Sequence, residues 1–270
     1  MGTASGYWQD LTTVECSGLD PADTIALLPV AAIEQHGPHL PLATDALINE
    51  AIVSEALKLL PDRPTVLVLP AMTVGSSLEH TEFPGTLSVD ADTLLAVWKA
   101  VGSSVARAGI RKLVILNSHG GQTALVDLAA LHLRVERRML VARANYFAFG
   151  APAGLFREEE LAHDIHGGVV ETSLMLHLRP DLVRKEALQN FTGLPGEMAA
   201  RNTLLGAEKP VGFGWMTQDL NPAGACGDAA AADPERGAAY LDHLASSLVT
   251  LVVEVAETPL SVIDRAPNKE

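Results

Sequence analysis

Four short apolar segments, alternating with segments of helical periodicity, constrain the fold of this chain more than any other feature. They are rich in branched aliphatic residues and predict buried strands over 24–33, 65–72, 112–117 and 139–147. Strands that alternate with helices are typical of a mainly parallel sheet with helices on both faces. The pattern therefore predicts an α/β fold with three layers, α/β/α.

Helix boundaries are marked by capping residues and glycine. Thr44 and Asp45 precede one apolar-periodic segment, and Asp90 with Ala91 opens another that stops at Gly109. The predicted helices cover 46–60, 91–108, 123–138, 169–178 and 234–257. We expect residues 1–270 to form a single α/β domain, because domains of this class often reach about 250 residues.

Composition excludes several classes of protein. Hydrophobic residues make up 48% of the 270 residues and charged residues 19%, which argues against disorder. Two cysteines, Cys16 and Cys226, are too few for a disulfide framework and indicate reduced thiols.

The charge balance and the N-terminal segment bear on partners and location. With 19 basic and 33 acidic residues the net charge is −14, which argues against binding to nucleic acid or to an anionic membrane surface. The first 20 residues do not resemble a signal peptide, and the apolar runs are shorter than the roughly 18 residues of a membrane span. We therefore expect a cytoplasmic protein whose acidity is offset in part by bound cations.

Histidines and carboxylates cluster where the predicted strands end. Seven of the nine histidines lie in or just after the segments IEQHGPHLPLATD, VGSSLEHTEFPGT, NSHGGQ and HDIHGGVVETS. In open α/β sheets, ligands bind beyond the carboxyl ends of the strands. This clustering indicates a functional site at that edge of the sheet.

The residue types point to divalent metals. Glu34 and His36 are two positions apart and project to the same side of an extended segment. Asp45 opens a helix, where the dipole favours a carboxylate, and Gly120–Gly121 let the backbone turn tightly after His119. Mixed histidine and carboxylate ligands suit zinc, manganese or iron, and two such ions can share a hydroxide and polarise a carbonyl.

Each motif alone also has a structural interpretation. Glu34 can form a cap or a salt bridge, His36 can be a buried hydrogen-bonded residue, and NSHGG can be an ordinary turn. Four strand-end segments that each carry such groups are unusual in a purely structural domain. No G-x-G-x-x-G follows the first strand and no P-loop pattern occurs, so a nucleotide-binding function is not predicted.

Together these segments resemble the creatininase (creatinine amidohydrolase) family. The matching stretches are LPVAAIEQHGPHLPLATD, EFPGTLSVD, LVILNSHGGQ and DIHGGVVETSLMLHLRPDLV, in the order and approximate spacing of the family, over roughly residues 25–185. The resemblance implies a three-layer α/β/α fold, a dinuclear metal site and often a homohexamer.

The resemblance also implies roles for individual residues. Glu34, His36, Asp45 and His119 match the family's metal ligands, with Asp45 as the bridge, and His166 matches its proton shuttle. Ser76, Ser77, His80, Gln122 and Asp164 are predicted to contact the substrate.

This sequence departs from creatininase itself at two places. In creatininase a tyrosine and then a glutamate ligand follow the histidine of its NGH motif, and the corresponding positions here are Gly121 and Gln122. Ala162–His163 stand where a tryptophan precedes the Asp-Ile segment of creatininase. Creatinine is therefore not the expected substrate. Glu171 is predicted either to replace the missing ligand, which would give it a catalytic part, or to orient His166 or a ligand.

The predicted function is metal-dependent hydrolysis of an amide C–N bond in a small or cyclic amide, a formamide or a peptide-like substrate. A metal-activated hydroxide attacks the carbonyl, and His166 carries a proton to the leaving nitrogen. One alternative is the same chemistry on a non-amide bond, as in a cyclic ketone or lactone. The other is a non-catalytic partner protein, for which the loss of a carboxylate at Gln122 is the only argument.

Overall fold

The computed structural model describes residues 5–208 and 210–265, and its centre is a five-stranded parallel sheet. The strands are β1 (Gly6–Tyr7), β2 (Thr24–Val30), β3 (Thr65–Val68), β4 (Lys112–Asn117) and β5 (Leu140–Asn145), in the order β1-β3-β2-β4-β5. β2 lies between β3 and β4, and Ala26–Val30 pairs in register with Leu113–Asn117. The predicted α/β fold with a parallel sheet is confirmed.

Nine α-helices accompany these strands within the described residues. They are α1 (Thr13–Ser17), α2 (Thr44–Leu59), α3 (Ala91–Arg107), α4 (Thr123–Arg137), α5 (Glu158–Leu161), α6 (Val169–Leu178), α7 (Leu194–Arg201), α8 (Thr217–Leu220) and α9 (Pro234–Glu257). The five helices predicted from capping and periodicity agree with α2, α3, α4, α6 and α9 to within two residues at each end. The two-residue strand β1 was not predicted, because so short a segment carries no periodicity.

Successive side chains of the central strands point alternately into two separate hydrophobic cores, because side chains along a strand repeat every two residues. Ile25 and Leu27 of β2 face a core that includes α2, α6 and α9. Ala26 and Leu28 face the opposite core, which contains Trp98 of α3 and residues of α4. Strands buried on both faces read as continuous apolar runs, which is why β2 and β4 were recognisable in the sequence.

The last helix is long and apolar enough to cross a membrane by length and composition alone. In the structure α9 packs against α2 and α6, and Tyr240, Leu244 and Leu248 are buried in the core on that side of the sheet. The apolar stripe of α9 is thereby buried inside the protein, as expected for a core helix of a layered α/β fold.

Gly237 allows α9 to approach α6 closely. An added Cβ would lie 2.0 Å from the carbonyl oxygen of Ser173, which is backbone and cannot move independently. Gly237→Ala is expected to lower the free energy of unfolding by roughly 1–2 kcal/mol, because the energetic cost of overpacking is larger than the gain from the higher helix propensity of alanine. Urea denaturation measures this, with Gly6→Ala, which meets nothing within 4 Å, as the control. Equal stabilities of the two variants would contradict this account of the helix contact.

Candidate metal centre

Residues from four separate segments meet at the carboxyl ends of the central strands. Glu34 and His36 follow β2, and Asp45 lies in the first turn of α2. His119 follows β4, and Glu171 lies in the first turn of α6. The structure therefore brings together all five residues that the sequence predicted as metal ligands.

Asp45 lies between the other four. Its Oδ1 is 3.1 Å from His36 Nε2, and its Oδ2 is 3.5 Å from His119 Nδ1. Glu34 Oε1 lies 3.1 Å from the same His119 nitrogen, and Glu171 Oε2 lies 3.9 Å from His36 Nε2.

These distances define groups of three donor atoms that lie within 4.8 Å of one another. One group is Glu34, Asp45 and His119, and another is His36, Asp45 and Glu171. Asp45 belongs to both groups, so it could supply a ligand atom to each of two ions. A further group joins Glu34, His36 and His166.

Backbone carbonyls orient the histidines of the centre. His119 Nε2 donates to Ser76 O at 3.0 Å, His36 Nδ1 to Glu34 O at 3.0 Å, and His166 Nε2 to Gln35 O at 2.6 Å. With one ring nitrogen donating to a carbonyl, the other faces the carboxylates, and on His36 and His119 it can bind a metal ion only after it loses its proton. Such outer hydrogen bonds fix the tautomer of metal-binding histidines.

Two carboxylate oxygens in the centre are buried without a hydrogen-bond partner, Glu34 Oε2 and Asp45 Oδ2. An ionised oxygen removed from water without a donor is costly unless a cation compensates it. The donor set, buried and composed of imidazole and carboxylate, fits divalent zinc, manganese or iron.

The protonation of the centre reflects the same excess of negative charge. Burial opposes a charged imidazole, but the carboxylates nearby, Asp45 foremost, outweigh it and raise the pKa of His36 to about 10. Burial also opposes a charged imidazole at His119, but the carboxylates, Glu34 foremost, raise its pKa well above the usual value. Burial raises the pKa of Glu171 to about 7. Protons thus take the place of cations in the metal-free protein.

His80 contacts the proposed ligand Glu34 and is not itself a predicted ligand. Its Nδ1 is 2.7 Å from Gln35 Nε2 and 2.8 Å from Thr217 Oγ1, and its Nε2 is 3.3 Å from Glu34 Oε1. Because the Gln35 amide donates to Nδ1, the Nε2 proton faces Glu34. The side chain was predicted to contact substrate; it lines the cavity, and it also orients a proposed ligand.

Three other predicted substrate contacts do not line the cavity. The side-chain nitrogen of Gln122 donates to Asn117 Oδ1 and to Ala31 O, and its oxygen accepts from the Ser76 amide. The Ser76 carbonyl holds His119, and the Ser77 amide donates to Ser88 Oγ. These groups form hydrogen bonds within the protein and do not face the cavity. They therefore stabilise the turns that carry the site.

Glu79 also lies in the site, although no role was predicted for it from the sequence. Its Oε1 lies 3.4 Å from His119 Nε2 and 3.9 Å from His80 Nε2. A Cβ on Gly121 would lie 1.6 Å from the same oxygen, so the carboxylate occupies the space that a side chain at that position would fill. The adjacent His80 and the predicted strand end were signals in the sequence; the contact with Gly121 was not.

The centre opens into a cavity of about 950 Å³. Asp164 lines it, as predicted for a substrate contact: Oδ2 accepts from the Val170 amide at 3.0 Å, and Oδ1 is buried without a partner. Burial raises the pKa of this carboxyl to about 7.

Comparison with known proteins identifies the family. The model of the family described as Creatininase, creatinine amidohydrolase, matches residues 9–252. This chain belongs to the creatininase family. A solved structure named Creatininase Mn is similar with a TM-score of 0.73 at 25% identity, covering 94% of this chain and 100% of that chain.

Two relatives of this chain carry names that state an activity. The mycofactocin precursor peptide peptidase of Mycobacterium ulcerans is 34% identical over 191 residues, covering 69% of this chain and 71% of that protein. The creatinine amidohydrolase of Pseudomonas putida is 36% identical over 177 residues, covering 60% of this chain and 66% of that protein. The chain is thus a creatininase-family hydrolase with buried groups suited to metal ions.

Removing a proposed ligand tests the centre. Asp45→Ala is expected to lower bound metal from about two ions per chain to one or none, because both donor groups lose the shared carboxylate. Glu34→Ala and His119→Ala should each remove about one ion. Elemental analysis of reconstituted, desalted protein measures this, with His132→Ala on the exposed surface of α4 as the control. Full metal retention in all three variants would exclude this ligand assignment.

Metal affinity should depend on pH. His36 and His119 hold protons at neutral pH in the metal-free protein, and an ion must displace them, so apparent affinity should rise with pH. We expect about a tenfold increase per pH unit for each proton displaced between pH 6 and 8. Competition with a chromophoric chelator of known proton affinity measures the slope. Affinity that is unchanged over this range would contradict the assigned protonation.

Proposed function

We propose that this protein is a metal-dependent amidohydrolase that cleaves a C–N bond in a small or cyclic amide, a formamide or a peptide-like substrate. The observation that carries the proposal is the pair of donor groups that share Asp45. Two divalent ions, zinc, manganese or iron, suit these ligands. Bound there, they supply an acidified water and polarise the scissile carbonyl.

His166 is positioned to move the proton. Its Nε2 is held by the Gln35 carbonyl, while Nδ1 faces the centre, 3.8 Å from Glu34 Oε1. Burial keeps the pKa of His166 well below its usual value, so the resting imidazole is neutral, and a proton gained at Nδ1 would be released readily. It can then deliver that proton to the leaving nitrogen, which the C–N bond requires before it breaks.

Glu171 and Asp164 complete the arrangement. Glu171 Oε2 accepts from the Gly167 amide at 2.7 Å and faces His36, which supports a part as the third ligand of its donor group. Gln122 cannot take that part, because its amide is engaged with Asn117 and Ala31. Asp164 lines the same cavity, and its Oδ2 accepts from the Val170 amide.

We further propose that the protein belongs to the branch of the family that carries HGG after the strand, rather than being creatininase itself. Gly121 leaves room for Glu79 beside His119, and a cavity of about 950 Å³ is at the upper end of ligand pockets, far more than a creatinine ring needs. The peptidase relative supports a substrate larger than creatinine.

Assembly and location are proposed on family grounds. We expect a homohexamer in the cytoplasm. Exposed apolar side chains on one face of α4, Leu128, Leu131 and Val135, are the kind of surface that subunit contacts cover.

Replacing His166 tests the chemistry separately from the metal. His166→Gln is expected to lower kcat by about 10²–10⁴-fold on any amide that the metal-loaded enzyme hydrolyses, because it removes the proton carrier. The screen should hold formamides, cyclic amides, short peptides, and one cyclic ketone and one lactone. Metal content of the variant should stay within the range of the His132→Ala control. Turnover of only the ketone or lactone would favour the non-amide alternative, and unchanged kcat would remove His166 from the mechanism.

A further inference from the structure

The cavity has an apolar region apart from its metal-binding residues. Six of the large apolar side chains that line it are referred to here as the apolar arm: Phe147, Leu161, Leu204, Leu205, Phe213 and Trp215. Five of them, all except Trp215, leave more than a third of their surface exposed. They come from three separate stretches of chain, the turn after β5, α5, and the segment before α8. Convergence of exposed apolar groups on one cavity is the usual sign of a binding surface.

The charge of the cavity restricts what can enter it. Six carboxylates line it: Glu34, Asp45, Glu79, Asp164, Glu171 and Glu208. Among the lining residues that the structure describes, none is lysine or arginine. Two bound divalent ions would offset the charge of the centre only. A carboxylate on the part of a substrate that lies in the apolar arm would therefore lose hydration without gaining a cation from any described lining residue.

We propose that the apolar arm is a subsite for an uncharged aromatic or branched aliphatic group carried by the scissile amide, and that it disfavours a carboxylate on that group. This inference rests on the proposed function and narrows its substrate class. A second copy of the chain is the competing occupant of the arm. The subsite is favoured because the arm is continuous with the proposed centre and its rings surround one cavity.

Hydroxamic acids test the subsite without a known substrate, since they bind divalent metals directly. The probes are acetohydroxamic acid, its analogues with a phenyl group on the acyl carbon or on nitrogen, and the 4-carboxyphenyl counterparts. Calorimetry on the zinc- or manganese-loaded protein should show at least tenfold tighter binding for one phenyl analogue. The matching carboxylate should lose that gain.

Variants assign the effect to the arm. Phe213→Ala and Phe147→Ala should each reduce the preference for phenyl by about threefold or more and leave acetohydroxamic acid unaffected. Val14→Ala, at an exposed apolar position on α1 outside the cavity, should change neither affinity. Because Phe147 and Phe213 are partly exposed, the variants are expected to fold.

The outcomes separate the two proposals. Acetohydroxamic acid that binds only when metal is present supports the centre; absence of such binding would contradict the proposed function itself. Metal-dependent binding with equal affinity for all the probes would overturn the subsite and leave the centre intact. A Phe213→Ala variant that changes the sedimentation coefficient while keeping the phenyl preference would assign the arm to a subunit contact instead.

Discussion

The buried negative charge of the metal centre is the constraint on which the rest of the structure depends. Glu34 and Asp45 are almost completely buried at the ends of the central strands, and each has an oxygen without a donor. A carboxylate in such surroundings requires a counter-charge. In the metal-free protein His36 and His119 provide it by holding protons, which is why their pKa values are raised. Divalent cations provide it better, since each carries two charges and accepts ligands from several directions.

The rest of the fold keeps that arrangement in place. Asn49 of α2 donates to the carbonyls of Val30 and Leu116 and to Ser118 Oγ, so the helix that carries Asp45 is tied to the ends of β2 and β4. Ser118 Oγ in turn donates to the Asp45 carbonyl. The charged groups cannot relax apart, because the backbone around them is hydrogen-bonded to the sheet. Preorganisation of this kind holds ligands at metal-binding separation before an ion arrives.

The sequence predicted much of this because the relevant signals are local. Buried parallel strands leave continuous apolar runs, and the rule that ligands gather at strand ends converts four scattered motifs into one site. Glu34, His36, Asp45 and His119 are brought together as that rule requires. The location of Glu171 in the site was harder to predict. Its helix, α6, follows no strand directly and reaches the site through its packing on α2 and α9.

Other features depend on tertiary contacts that no local pattern records. The relation between Glu79 and Gly121 exists only because two loops meet, and Gln122 is a polar residue beside the site that faces away from the cavity. The apolar arm is invisible in the sequence because its members lie in three irregular stretches. This division has a physical origin. The metal-binding groups are placed by the sheet and its helices, which constrain them strongly, whereas the arm is built from connecting segments, which tolerate change. Substrate preference in such an architecture can therefore vary while the metal-binding end, and the chemistry it supports, stays the same.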